Sequence, residues 1–199
     1  MDTSRRRGRR PGGADTRAAL LAAAREVFAE QGYAGATVRA IAGRAGVDAA
    51  MVNHWFGGKQ GLFSAVMELP GTVRLPTVLD TILGGELDGL AERIVRTFVT
   101  LWDDNDGQFA ALIRSVSSQE MTATVLRDFL TNEVLGRVVT RIGADRPELR
   151  ASLCASQMVG LGMARYVVKL GPLATADVDT VVRAVAPTLT RYLTEPLDG

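Results

Sequence analysis

The sequence is poor in the two residue types that most often build metal and catalytic sites. It has one cysteine, Cys154, and one histidine, His54, in 199 residues. A single cysteine excludes a disulfide within the chain and fits a reducing cytoplasm. One histidine and one distant cysteine make a poor metal-ligand set and leave little for histidine-dependent catalysis. We therefore expect no metal, no cofactor and no enzyme activity.

Long apolar runs are also absent. A membrane-spanning helix needs about 20 apolar residues. The best stretch here, residues 151–164, is shorter, contains Gln157 and is flanked by Arg150 and Arg165. No stretch alternates apolar and polar residues as a half-buried strand would. The helical spacing of the apolar residues predicts an all-α fold with about nine helices, in a cytoplasmic protein with no membrane partner.

Charge is unevenly distributed, although the formal net charge is only +1. Residues 1–60 carry ten basic and five acidic residues, a net of +5, and residues 61–199 carry thirteen and seventeen, a net of −4. Such asymmetry is typical of nucleic-acid-binding proteins with a separate second domain. Because residues 1–14 contain almost nothing apolar, we expect a disordered basic arm. Its arginines either strengthen DNA binding in a salt-dependent way or form a solubilising tail: Arg5, Arg6, Arg7, Arg9 and Arg10.

Residues 15–69 predict a small helical domain. A first helix begins near Asp15 and ends at Gly32. Thr37 can cap a second helix, Val38–Ala45, and Asp48 can cap a third, residues 49–56. Between them Gly46 lets the chain reverse tightly, because glycine readily takes a positive φ. A fourth helix begins at Lys59, and prolines near residue 70 mark a boundary.

The third helix has two faces. Val52 and Phe56 form an apolar stripe that anchors it, whereas two alanines, Asn53 and His54 share another face. Small side chains beside hydrogen-bonding ones suit close approach to the DNA major groove. Arg39 can fork onto guanine O6 and N7, and Lys59, at a helix amino terminus, is placed for a phosphate.

These residues carry a resemblance to a known family. The matching segments are FAEQGY (28–33), TVRAIA (37–42), AGV (45–47), VNHWF (52–56) and KQGL (59–62). Together they resemble the DNA-binding domain of the tetracycline-repressor (TetR) family of bacterial transcription regulators, over about residues 16–68. Asn53 stands where the family often has tyrosine. The resemblance implies a homodimer that binds double-stranded DNA through these positions: Thr37, Arg39, Ala49, Ala50, Met51, Asn53, His54, Trp55 and Lys59.

Residues 70–199 are predicted to hold an effector-binding and dimerisation domain with helices over residues 86–102, 108–117, 122–142, 147–170 and 177–193. Small residues recur every fourth position on the fourth of these helices, and valines line one side of the last. We expect both sets at a dimer interface, which the resemblance favours, although the small residues can also pack within one subunit: Ser152, Ser156, Gly160, Ala164, Val178, Val181, Val182, Val185 and Leu189.

The resemblance also implies a pocket for a small-molecule effector, of unknown identity, in this second domain. The candidates for its walls are aromatic residues, methionines and one arginine, although such residues are more often plain core: Phe98, Trp102, Arg114, Met121, Phe129, Met158, Met163 and Tyr166.

Two other functions stay open. An enzyme could use Cys154 as a nucleophile, although no general base is near it in sequence and a buried structural thiol fits better. A nonspecific nucleic-acid-binding protein could act through the arginine arm alone. The sequence favours a homodimeric repressor of a palindromic operator, released by a small molecule.

Overall fold

The computed structural model describes residues 13–67, 69, 75–105 and 107–197. These residues contain helices and no strand, which confirms the all-α prediction. When two π-helical segments are joined to the α-helices beside them, the described part of the chain has eleven continuous helices, close to the expected nine. None of the described helices is both long and apolar enough to cross a membrane. The five arginines of the predicted arm lie outside the described residues.

The amino-terminal helices form a unit that we call the head. They are α1 (Gly13–Gly35), α2 (Val38–Ala45), α3 (Ala50–Phe56) and α4 (Lys59–Val66). Helix α1 starts two residues before the predicted position. At Gly32 its backbone leaves helical geometry (φ 66°, ψ 172°), where the sequence predicted that the helix ends.

The remaining helices form the second part of the molecule. They are α5 (Leu75–Leu83), α6 (Leu90–Asp103), α7 (Gln108–Ser118), α8 (Glu120–Asp128), α9 (Leu135–Ile142), α10 (Pro147–Gly162), α11 (Gly171–Thr175) and α12 (Val178–Thr194). A π-helical segment (Phe129–Val134) joins α8 to α9, and another (Met163–Val167) extends α10. The sequence predicted regular helices through both segments and did not predict α5.

The core consists of two clusters. The first joins the head to the second part, because Phe28 and Leu62 belong to the same buried cluster as Phe109 and Val125. The second cluster lies between α6, α9, α10 and α12. The head is packed directly on α8 and on the π-helical segment Phe129–Val134, so a shift of these elements can reach it through continuous side-chain contact.

The valine stripe of α12 belongs to this second cluster and not to an open surface. Val181 and Val182 are at most 2% exposed and Leu189 is fully buried, all inside one protomer. Val178 and Val185 are half-buried against the same cluster. The prediction of a dimer interface is therefore wrong for Val181, Val182 and Leu189, because α12 turns this side towards α6 of its own chain. For the half-buried Val178 and Val185 it stays a prediction.

Candidate nucleic-acid interface

One hydroxyl, one glycine and one carboxylate set the turn between α2 and α3. Thr37 Oγ1 accepts a hydrogen bond from the Ala40 N–H at 3.1 Å and caps α2. Gly46 has φ 69° and ψ 29°, a left-handed conformation that suits glycine. Asp48 Oδ1 accepts a hydrogen bond from the Ala50 N–H at 2.7 Å. These contacts fix the direction in which α3 leaves the turn.

Helix α3 separates its residues onto a buried face and an exposed face. Val52 is fully buried, as is Ile41 of α2, and these two residues anchor the helix pair in the core. Ala50, Asn53 and His54 are exposed. The exposed face therefore offers one methyl group and two hydrogen-bonding side chains, a combination that suits thymine methyls, base edges and phosphates.

Trp55 lies partly on the buried face of α3 and partly on its exposed face. Its side chain is 36% exposed, and its ring stands edge-on to His54 with centroids 5.2 Å apart. Its six-membered ring also lies against the start of α1, since a Cβ at Gly13 would come within 3.1 Å of Trp55 Cζ2. Ala49 and Met51 are half-buried. These three residues support the exposed face as much as they belong to it.

Arg39 and Arg44 lie on the same short helix but have different environments. The Arg44 guanidinium lies 2.6 Å from Glu30 and 3.6 Å from Glu26, and its hydrogen bond lowers the pKa of the Glu30 carboxyl. Arg39 is exposed, and among the described residues it has no hydrogen-bond or ion-pair partner. Its donors are available to a ligand, whereas Arg44 is held by acids of α1.

Lys59 has a structural position that the sequence did not predict. Its ammonium donates to the carbonyl oxygens of Tyr33 at 2.9 Å, Ala34 at 3.3 Å and Ala36 at 3.0 Å. It also lies 4.7 Å from the centroid of the Tyr33 ring. Because an ammonium has three protons, all of its donors are used to hold the end of α1 against α4. The expected phosphate contact stays a prediction that this arrangement disfavours.

Gly61 was not predicted from the sequence as a residue that shapes the site. A Cβ there would lie 1.8 Å from the Phe56 carbonyl oxygen, so only glycine lets the end of α3 pass this close to α4. Glycine inside a helix costs about 1 kcal/mol relative to alanine. A glycine one turn into a predicted helix was therefore the available signal of a close backbone contact.

An apolar cavity of about 140 Å³ lies in the second part of the molecule. Its walls come from Leu69, from α5 to α10 and from the first π-helical segment. An apolar space of this size within the helices is a candidate ligand site.

The cavity accounts for half of the predicted pocket residues. Phe98, Trp102, Phe129 and Met158 line it. The other four are absent from the described walls: Arg114 and Met121 are exposed, and Met163 and Tyr166 are half-buried outside it. Tyr166 instead donates its one hydroxyl proton to the Asp103 carboxylate at 2.8 Å, and the Val99 carbonyl oxygen lies 3.2 Å from the same hydroxyl. Burial and this hydrogen bond raise the pKa of Tyr166.

One face of α10 is open and partly apolar. Ser152, Ser156 and Gly160 are exposed, Ala164 is half-buried, and Leu149 is 46% exposed. A Cβ added at Gly160 meets no atom within 4 Å. Three of the four predicted small residues therefore lie on the protomer surface, with room beside them for another helix.

The single cysteine is inert in this environment. Cys154 is fully buried, and burial raises the pKa of its thiol to about 12. The thiolate is the nucleophilic form, so this side chain is not placed as a catalytic nucleophile. Among the described residues, no group of three histidine, cysteine or acidic side chains is arranged to hold a metal ion.

Comparisons with known proteins agree with this geometry. The model of bacterial regulatory proteins of the TetR family matches residues 20–66, and the model of the tetracycline-repressor-like carboxy-terminal domain matches residues 88–193, more than half of the chain. The protein is a helix-turn-helix transcriptional regulator. It belongs to the TetR family.

Several individual proteins are similar to this chain. A TetR-family regulator from Streptomyces coelicolor is 39% identical, over 94% of this chain and 98% of its own, with a TM-score of 0.45. A transcriptional regulator from Rhodococcus sp. RHA1 is 24% identical, over 88% of this chain and 96% of its own, with a TM-score of 0.41. The HTH-type transcriptional regulator BetI 1 of Chromohalobacter salexigens is 46% identical over 48 residues. The chain spans about a quarter of the length of that curated relative.

Proposed function

We propose that this chain is a homodimeric repressor that binds a palindromic operator and is released from it by a small-molecule effector. The observation that carries the proposal is the exposed face of α3, with Asn53 and His54 free at the surface while Val52 anchors the helix. Arg39 adds a guanidinium from α2 that has no partner within the described part of the chain. These three side chains supply the donors and acceptors that recognition of base edges and phosphates needs.

A second copy of the chain supplies the second half of the contact. One helix in a major groove reads too few bases for tight specific binding, and two heads one helical turn apart, about 34–36 Å, read a palindrome. The open face of α10, with Leu149, Ser152, Ser156 and Gly160, favours close approach of the same helix from a twofold-related copy.

The effector is proposed to occupy the apolar cavity. Phe129 belongs to its wall and also contacts Phe63 of α4, with ring centroids 4.6 Å apart. Tyr33, at the end of α1, lies 4.8 Å from Phe63. A molecule that displaces Phe129 therefore acts directly on the head. Release from the operator requires that the effector bind more tightly to the dimer when its two heads are too far apart or too close to fit the operator than when they fit it.

The test is selection of bound fragments from a genomic DNA pool with purified protein, followed by gel-shift competition. We expect a shared palindrome, and binding to it that survives an excess of random DNA. Equal competition by random DNA would contradict the proposal, and it is the result expected of a protein that binds through a basic arm alone.

A further inference from the structure

We infer that the effector of this protein is an uncharged, largely hydrocarbon molecule of about the size of one aromatic ring. The inference rests on the proposed function, since it concerns the ligand of the same regulator. It starts from the chemistry of the cavity walls, which contain no acidic, basic or histidine side chain among the described residues.

The polar content of the walls is small. Thr97, on α6, contributes the one hydroxyl side chain among the described lining residues, and Trp102 contributes an indole N–H. The rest are aliphatic, methionine or phenylalanine side chains. A ligand in this cavity can form one or two hydrogen bonds, and it must otherwise be apolar.

Two acidic side chains beside the cavity, Asp103 and Glu133, are already paired. Asp103 follows Trp102, and its carboxylate accepts one hydrogen bond from the Arg165 guanidinium at 2.8 Å and another from the Tyr166 hydroxyl at 2.8 Å. Glu133 precedes Val134, another residue of the wall, and its carboxylate accepts a hydrogen bond from the Arg137 guanidinium at 2.9 Å. A carboxylate or ammonium ligand would therefore lose its water without gaining a free partner from these groups, and such burial is strongly unfavourable.

The volume sets the size of the ligand. A cavity of about 150 Å³ lined by leucine, isoleucine and phenylalanine stays dry and binds benzene, and the cavity here has about 140 Å³ and the same type of lining. A single-ring molecule therefore fits it. Because such a molecule packs against Phe129, it can shift the ring through which the cavity meets the head.

Four probes of similar shape test the inference: isopropylbenzene and benzamide, both uncharged, benzoate, an anion, and benzamidinium, a cation. Binding to the DNA-free protein is followed by the fluorescence of Trp102, in a Trp55→Phe variant that leaves Trp102 as the sole tryptophan. We expect saturable binding of isopropylbenzene, weaker binding of benzamide, and binding of both ions at least tenfold weaker than that of isopropylbenzene. Equal or tighter binding of either ion overturns the inference.

Two neighbouring substitutions locate the site. Ile113→Phe adds a ring at the cavity wall, whereas Arg114→Phe adds the same ring at the next position, on the exposed side of α7. We expect the first to weaken isopropylbenzene binding more than tenfold and the second to leave it unchanged. Thermal melts of both variants check that they are folded.

The outcomes separate this inference from the proposed function. If no probe binds, or if Ile113→Phe has no effect in a folded protein, the inference fails while operator binding in the gel shift is unaffected. If the probes bind as expected but no palindrome is selected, the proposed repressor function fails and the ligand class stands.

Discussion

Single side chains decide which parts of the head can meet DNA. Arg39 and Arg44 look equivalent in sequence, since both are basic residues of the short helix α2. The structure separates them, because Glu30 and Glu26 hold Arg44 while Arg39 is unpaired among the described residues. The sequence predicted Arg39 as a contact from its position, and its freedom to act follows from the placement of the acids on α1.

Replacement of Arg39 tests base recognition. We expect Arg39→Ala to weaken binding to the selected operator by about 1–3 kcal/mol, and to relax the preference at one base pair in each half-site, because a bidentate contact to guanine is lost. The measurement is a gel-shift titration against operators substituted at each position. Arg44→Ala is the control and should lower stability without changing base preference. Equal weakening on every sequence would mean that Arg39 touches phosphate only.

Replacement of Lys59 tests whether it holds the head together or binds DNA. We expect Lys59→Met to lower the free energy of unfolding by about 1–3 kcal/mol, since hydrogen bonds from a charged group to three carbonyls are lost. The salt dependence of operator binding should keep its slope. Denaturant titration and binding at several salt concentrations measure the two effects. Lys169→Met, at an exposed position, is the control. If the slope of the salt dependence falls by about one and the stability is unchanged, Lys59 contacts a phosphate instead.

At the scale of elements, the parts with strong local signals were predictable and those set by packing were not. Thr37, Gly46 and Asp48 determine the ends of α2 and α3 through local hydrogen bonds and backbone preference, and the sequence placed these ends to within a residue. The π-helical segment Phe129–Val134 carries no such signal. Its apolar residues keep a helical spacing, and the wider turn accompanies the packing of Phe129 against the head, a nonlocal contact.

A double-mutant cycle tests this contact between the head and the cavity wall. We expect Phe63→Leu and Phe129→Leu to show an interaction energy of about 0.5–1.5 kcal/mol in denaturant unfolding, because the two rings touch. Phe63→Leu with Phe98→Leu is the control pair, for which no ring contact exists among the described residues, and the two effects should add. If the effects also add for Phe63→Leu with Phe129→Leu, the proposed coupling between the cavity and the head is contradicted.

At the scale of the whole molecule, burial shows which of the predicted interface and pocket residues are core and which are surface, a distinction that the sequence patterns do not make. The sequence predicted small residues of α10 and an apolar stripe of α12 together as a dimer interface. Val181 and Val182 of α12 proved to be core, whereas Ser152, Ser156 and Gly160 of α10 lie on the surface. The pocket shows the same limit, because only half of its predicted residues line the cavity. Of the others, Arg114 and Met121 face solvent, while Met163 and Tyr166 pack against the core outside it. A helical pattern gives the apolar side of a helix but not the partner that covers it.

The α10 surface allows a clean test of dimer formation. We expect Gly160→Arg to fold normally, because a Cβ there meets nothing within 4 Å of the protomer. The same arginine should block the approach of a second α10 and give a monomer in sedimentation equilibrium, with loss of operator binding. Thr140→Arg, on an exposed part of α9, should stay dimeric. A dimeric Gly160→Arg protein with normal operator affinity would place the interface elsewhere.

The most direct test of the whole account is a footprint of the wild-type protein on its selected DNA, with the bound mass measured on the same complex. The account predicts two chains per site and two protected major-groove segments on one face of the duplex, with centres about 34–36 Å apart or at a multiple of that spacing. One chain per site, or protection with no twofold pattern in the bases, would contradict it.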